Sequence, residues 1–199
     1  MQKIMFNDKY GLTQAVLEGR KTQTRRTFLK PGEEYLLRRT FLKPGEENLL
    51  HGITQEYLIL AKSRYKVGET VAIAQSYKDI HAEILREVGD WDLKNEFLQS
   101  KGYTNKMFVR AEKMPHAIRI TNIRVERLQD ISEKDCMKEG IWRDDNVGLE
   151  GTTYWYHGLA NSSFRTPQEA YTSLIDSISG KGTWASNPYV FVYDFELIN

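Results

Sequence analysis

The 199-residue chain is poor in the features that would narrow its function at once. It has 1 cysteine, 5 prolines and 4 histidines. The lone thiol, Cys136, cannot form an internal disulfide, which fits a reducing compartment. His51, His81, His116 and His157 are scattered without the spacing of a metal-ligand set, so no metal is expected. No apolar run approaches the roughly 18 residues of a membrane span, and MQKIMFNDKY lacks the charged-then-apolar order of a secretory leader. A cytoplasmic protein with no membrane partner is the expectation. A formal net charge of +1 removes any global argument for a polyanion partner, although the first fifty residues hold 10 Lys/Arg against 6 Asp/Glu. No nucleotide-type glycine loop is present: GKGT at residues 180–183 is too short and follows a helix where a phosphate loop would open one.

What the chain does have is a tandem duplication. RRTFLKPGEEYLL at residues 25–37 is followed directly by RRTFLKPGEENLL at 38–50, differing only where Tyr35 becomes Asn48. Two units of thirteen are too few and too short for a solenoid. Each reads as a basic start, an apolar pair, a Pro-Gly turn and an acidic pair, a loop or hairpin. One copy is expected to continue the fold and the other to bulge from it. A monomer is expected, and two near-identical segments competing for one slot also leave a swapped dimer open.

At 40% hydrophobic residues the chain can bury one core, so a single domain spanning 1–199 is expected. Residues 8–18 show helical spacing ending at Gly19. Residues 66–75 read as a Gly turn and a buried strand. Residues 77–113 are charged and weakly patterned, an insertion over the core with a helix expected at 82–100. AIRITNIRVERL shifts its alternation at Thr121-Asn122, the mark of a long strand with a bulge. Ser132 and Asp135 open a helix closed by Gly140, with Cys136 buried in it. Thr166, Pro167 and Glu169 open another, carrying Ala170, Tyr171, Leu174, Ile175 and Ile178 and closed by Gly180. Tyr189–Ile198 is dense in β-branched and aromatic residues and reads as a final strand. YWYHG at 154–158 is an aromatic patch, read as packing in preference to a ligand wall. Strands separated by short helices, with the chain ends pairing, give an α+β fold built on a small β-barrel with short flanking helices.

Three stretches carry a resemblance. MFNDKYGLTQAVLEGRKTQTRR is similar to the opening signature of the ASCH domain, a PUA-like β-barrel whose hallmark is a helix ending in G-x-K-T-x-T-x-R. The carriers are Gly19, Lys21, Thr22, Thr24 and Arg25 or Arg26. MPHAIRITNIRVERLQDISEKDCMKEGI and GKGTWASNPYVFVYDFE resemble the phage and prophage branch of that family.

Some small ASCH proteins are amidohydrolases acting on N4-acetylcytidine, and the resemblance implies a catalytic Lys, Thr and Glu. Lys21 and Thr24 match the first two, as base and as nucleophile or water-orienting hydroxyl. A lysine among Arg20, Arg25 and Arg26 has its pKa lowered by its neighbours, which frees an amine for base work. Gln75 stands where the glutamate is expected, and an amide cannot carry a proton; Glu69, in the preceding turn, is a poorer substitute. The sequence therefore favours binding of RNA or a modified nucleoside without turnover. In that reading Arg20, Thr22, Arg25 and Arg26 hold ligand oxygens, Gln75 reads a base edge, and Tyr77 or Trp184 stacks on it. The amidohydrolase and a phage or mobile-element accessory protein docking a protein partner remain the alternatives. No cofactor is implied.

Overall fold

The computed structural model describes residues 1–28, 59, 61–80, 95, 98–145, 151–158 and 163–198. The duplicated segment beyond residue 28 and the helix expected at 82–100 lie largely outside them. The architecture is α+β. Five strands, β1 (Gln2–Ile4), β2 (Gln23–Thr27), β3 (Thr70–Ile73), β4 (Ala117–Arg127) and β7 (Tyr189–Ile198), form one sheet in the order β1-β3-β4-β7-β2. Only β1 and β3 run parallel; the other neighbours are antiparallel. Strands β5 (Trp142–Asp144) and β6 (Thr153–Trp155) form a separate hairpin.

β4 and β7 are the spine of the sheet. Their pairing shifts register between Ile120 and Asn122, where the sequence alternation slips. The extra residue keeps Ile118 and Ile120 on the same face as Ile123 and Val125, and all four are buried. A strict alternation would have turned the second half of the strand inside out. This face of β4, with Phe191, Tyr193 and Phe195 of β7, forms the main apolar core.

Helix α1 (Leu12–Leu17) is shorter than the apolar spacing of residues 8–18 predicts. Asp8–Tyr10 forms a 3-10 turn capped by the Asn7 side chain, and Gly11, at φ 62°, reverses the chain before α1 starts. A β-carbon at Gly11 would stand 2.9 Å from His157 Cβ, so the break depends on glycine both for its backbone conformation and for space. Helix α2 (Glu133–Lys138) is capped by Ser132, whose hydroxyl accepts from the Asp135 amide.

Helix α3 (Pro167–Ser179) begins as its capping signal predicts, with Thr166 accepting from the Glu169 amide, and its buried stripe of Ala170, Tyr171, Leu174 and Ile175 packs on the main core. The short α4 (Thr183–Ser186) leads through Asn187, at φ 42°, into β7. The end of the expected insertion is structural: Val109, Ala111 and Met114 pack with Ala72, Ala74 and Tyr77 into a second, smaller cluster on the far face of β3. Among the described residues no helix is long and apolar enough to cross a membrane.

Removing the cap of α3 gives the first test. Thr166→Ala should lower the unfolding free energy by about 1 kcal/mol, read as a lower urea midpoint at unchanged slope.

Candidate functional site

Among the described residues β2 ends the strand order and pairs only with β7. Alternation sends Gln23 and Arg25 to the face covered by α2 and α3, and Thr24 and Arg26 to the other. The residues just before β2 come off the end of α1 through Gly19, at φ 71°, and both the Arg20 and Lys21 amides donate to the Ala15 carbonyl at 2.9 Å. This turn directs Lys21 inward. The Thr22 amide then donates to the Lys138 carbonyl at 3.0 Å, fastening the turn to the end of α2.

Lys21 is 2% exposed. Its ammonium donates to the Glu139 carboxylate at 2.5 Å and to the Glu139 backbone carbonyl at 2.9 Å. Glu139 is the C-cap residue of α2, where exposed carbonyls favour a cation. Its second carboxylate oxygen accepts from Arg25 at 3.0 Å. Arg25 forks onward to Glu126 at 2.9 and 2.6 Å and to the Gln23 side-chain oxygen Oε1 at 2.6 Å. Arg124 extends the chain of charges to Glu126, Asp135 and Asp194 at 3.0, 3.1 and 2.8 Å. Glu139 and Glu126 thus match the buried cations Lys21 and Arg25, which is the condition for charge to sit inside a protein.

Burial is the main influence holding Lys21 below its ordinary range; Glu139 opposes it, and the smaller push of Arg26 and Arg25 acts with burial. Of the three arginines invoked from the sequence, Arg25 and Arg26 therefore contribute, but as a secondary cause.

Lys21, Thr24, Arg25 and Arg26 line one cleft of about 570 Å³, together with Glu139 and Tyr171. It lies along β2 and the Met5–Lys9 stretch that follows β1, which are held together by Arg26 donating to the Met5 carbonyl. The other residues singled out in the sequence sit elsewhere. Arg20 sits over the Trp142 ring, its guanidinium carbon 3.7 Å from the ring centre, and pairs with Glu18 at 2.6 Å. Thr22 contributes backbone ties. Tyr77 packs in the smaller cluster. Trp184 meets the Tyr171 ring edge-on at 6.3 Å and packs on the main core.

Gln75 is buried but does not line the cleft; its amide oxygen has no hydrogen-bond partner among the described residues. Glu69 accepts from the Gln2 side chain and the Lys66 amide, holding the turn before β3. Of the aromatic patch, Trp155 stacks on Trp142 and Tyr156 is buried, its hydroxyl bonded to Ser173. Glu139 and Tyr171 are among the cleft residues that the sequence pattern did not single out for chemistry. Glu139 was visible only as the residue between a helix end and its closing glycine, and Tyr171 only as one member of an apolar stripe. Among the described residues no group of His, Cys, Asp and Glu is arranged to hold a metal.

No family model and no curated protein matches the chain. Among solved structures it is similar to the protein EF3133 from Enterococcus faecalis V583, of the family model DUF984, at 12% identity and a TM-score of 0.40, covering 100% of this chain and 80% of that one.

Two outcomes follow from the buried charges. Glu139→Ala strands Lys21 and loosens Arg25, and should cost about 3–5 kcal/mol of stability, read by denaturant unfolding. Cys136 is fully buried and its thiol is pushed up to about 12, chiefly by that burial. It should resist alkylation at pH 8 in the folded protein and react within minutes once unfolded; rapid labelling of the folded state would contradict its placement.

Proposed function

We propose that the chain is an ASCH-like amidohydrolase that binds an N4-acylated cytidine in the β2 cleft and releases the acyl group as a carboxylic acid. The observation that supports this most is the Lys21–Glu139 pair, buried in the same cleft as Thr24. The carboxylate that the sequence lacks at Gln75 is present from another element. In this reading the five-stranded sheet belongs to a PUA-like barrel, with β1 and β2 approaching at the cleft.

The chemistry asks for a base, an oxygen nucleophile and a site from which the amine departs. Glu139 orients Lys21, and once Lys21 has lost its proton to solvent the neutral amine draws the proton from a water as that water adds to the acyl carbon. Thr24 holds the water, or adds in its place and gives an acyl ester that water hydrolyses. The C–N bond breaks as Lys21 returns the proton to the exocyclic nitrogen. For N4-acetylcytidine the products are cytidine and acetate, with one water consumed. Desolvation favours the neutral lysine, so the same burial that excludes bulk water supplies the base.

The test is incubation with N4-acetylcytidine, with free cytidine read by chromatography. Wild type should turn it over and Lys21→Ala should lose roughly 100-fold or more. The rate should climb with pH as Lys21 loses its proton and level off below the ordinary lysine value of 10.5, while Gln75→Glu gives no gain. An inactive wild type, or a Lys21→Ala variant as fast as wild type, would overturn the assignment.

A second reading, RNA binding without turnover, is favoured by a neighbouring cleft of about 590 Å³ that shares Arg26 with the first. Lys3, Arg26, Lys62 and Arg64 line it beside Phe28 and Tyr65, and among the described residues no carboxylate does. Lys3 itself is committed to the backbone carbonyls of Lys106, Met107 and Val109. Affinity for single-stranded RNA that falls steeply with salt, in a protein that leaves N4-acetylcytidine intact, would favour this reading over hydrolysis.

A further inference from the structure

Tyr171 occupies the first half of α3, on the stripe that packs against the core. It is 2% exposed, yet its hydroxyl has no hydrogen-bond partner among the described residues. A buried hydroxyl left unsatisfied is destabilising, and phenylalanine would fill the same ring position without that cost. Packing therefore explains the ring and leaves the oxygen unexplained. Gln75 Oε1 is also buried and unsatisfied, but Gln75 does not line the cleft, whereas Tyr171 does.

The charges nearest in effect to Tyr171 are Glu139 and Arg25. Neither satisfies it: Glu139 accepts from Lys21 and Arg25, Arg25 donates to Glu139, Glu126 and Gln23, and neither makes a hydrogen bond with the Tyr171 hydroxyl. A phenol in such a place serves first as a donor, and the group that answers a lone donor is a carbonyl oxygen.

We infer that the Tyr171 hydroxyl is a ligand-binding donor of the β2 cleft, hydrogen-bonding the carbonyl oxygen of an amide ligand. The inference rests on the hydrolase reading for the identity of that amide. There the hydroxyl holds the acyl oxygen and strengthens its hold as water adds and negative charge moves onto that oxygen. No proton leaves Tyr171 in the step. Burial keeps the phenol protonated, raising its pKa well above the ordinary tyrosine range.

Tyr171→Phe removes the oxygen and keeps the ring. The variant should unfold at the same urea concentration as wild type or a higher one, since it loses an unsatisfied group. Its kcat on N4-acetylcytidine should fall by roughly 100-fold, with a much smaller change in KM. If wild type binds N4-acetylcytidine without turning it over, calorimetric titration of the intact compound replaces kinetics, and the Phe variant should bind about tenfold more weakly. Weakened binding without turnover sinks the hydrolase and leaves Tyr171 as the ligand's donor. A Phe variant equal to wild type in kcat, or in Kd where there is no turnover, overturns the inference, as does a wild type that neither binds nor cleaves the compound.

Discussion

The Glu139 carboxylate is the group on which the rest of the site depends. One oxygen holds Lys21 and the other holds Arg25, two cations that β2 and the turn just before it bring into the protein and that bare burial would make prohibitively costly. Because Glu139 sits at the C-cap of α2, the helix that supplies it also presents a backbone carbonyl to the same ammonium. The pairing thereby docks α2 on the end strand of the sheet. It also concentrates chemistry: a lysine that must be matched and desolvated to be buried is, for the same reasons, one whose neutral form is accessible.

The polar layer is organised outward from this point. Arg25 passes the constraint to Glu126 on β4, and Arg124 joins Glu126 to Asp135 on α2 and Asp194 on β7. Four elements are thus held together by charge on the face of the sheet that carries Gln23 and Arg25. The bulge in β4 serves both faces: it keeps four isoleucine and valine side chains in the core and sets the phase in which Arg124 and Glu126 reach the network. A fold made of packed apolar residues alone would not need this register.

Much of the scaffold was legible in the sequence because its signals are local. The bulge at Thr121-Asn122, the Ser132 and Thr166 caps, the closing glycines at 140 and 180, and the last strand all arise from interactions within a few residues. The single helix read over residues 8–18 was divided because apolar spacing does not report the left-handed turn at Gly11, where a β-carbon would also crowd His157 far along the chain. In the cleft, Lys21, Thr24, Arg25 and Arg26 were found because they stand within six residues of one another. Glu139 and Tyr171 come to them from helices more than a hundred residues away. A carboxylate before a helix-ending glycine and a tyrosine in an apolar stripe are ordinary as sequence; only their burial and their partners give them meaning. Gln75, Tyr77 and Trp184 were placed at the site by pattern, and the fold gives all three to packing outside the cleft.

The most direct test of this account is the titration of Lys21 itself, followed by the NMR shifts of its side-chain Cε and Nζ across pH and compared with the exposed lysines. The account requires Lys21 to titrate clearly below the others, and the transition to shift in Glu139→Gln if that variant folds. A Lys21 signal that titrates with the surface lysines near 10.5 would show a solvated ammonium, and the buried pair would no longer explain either the fold of this corner or its chemistry.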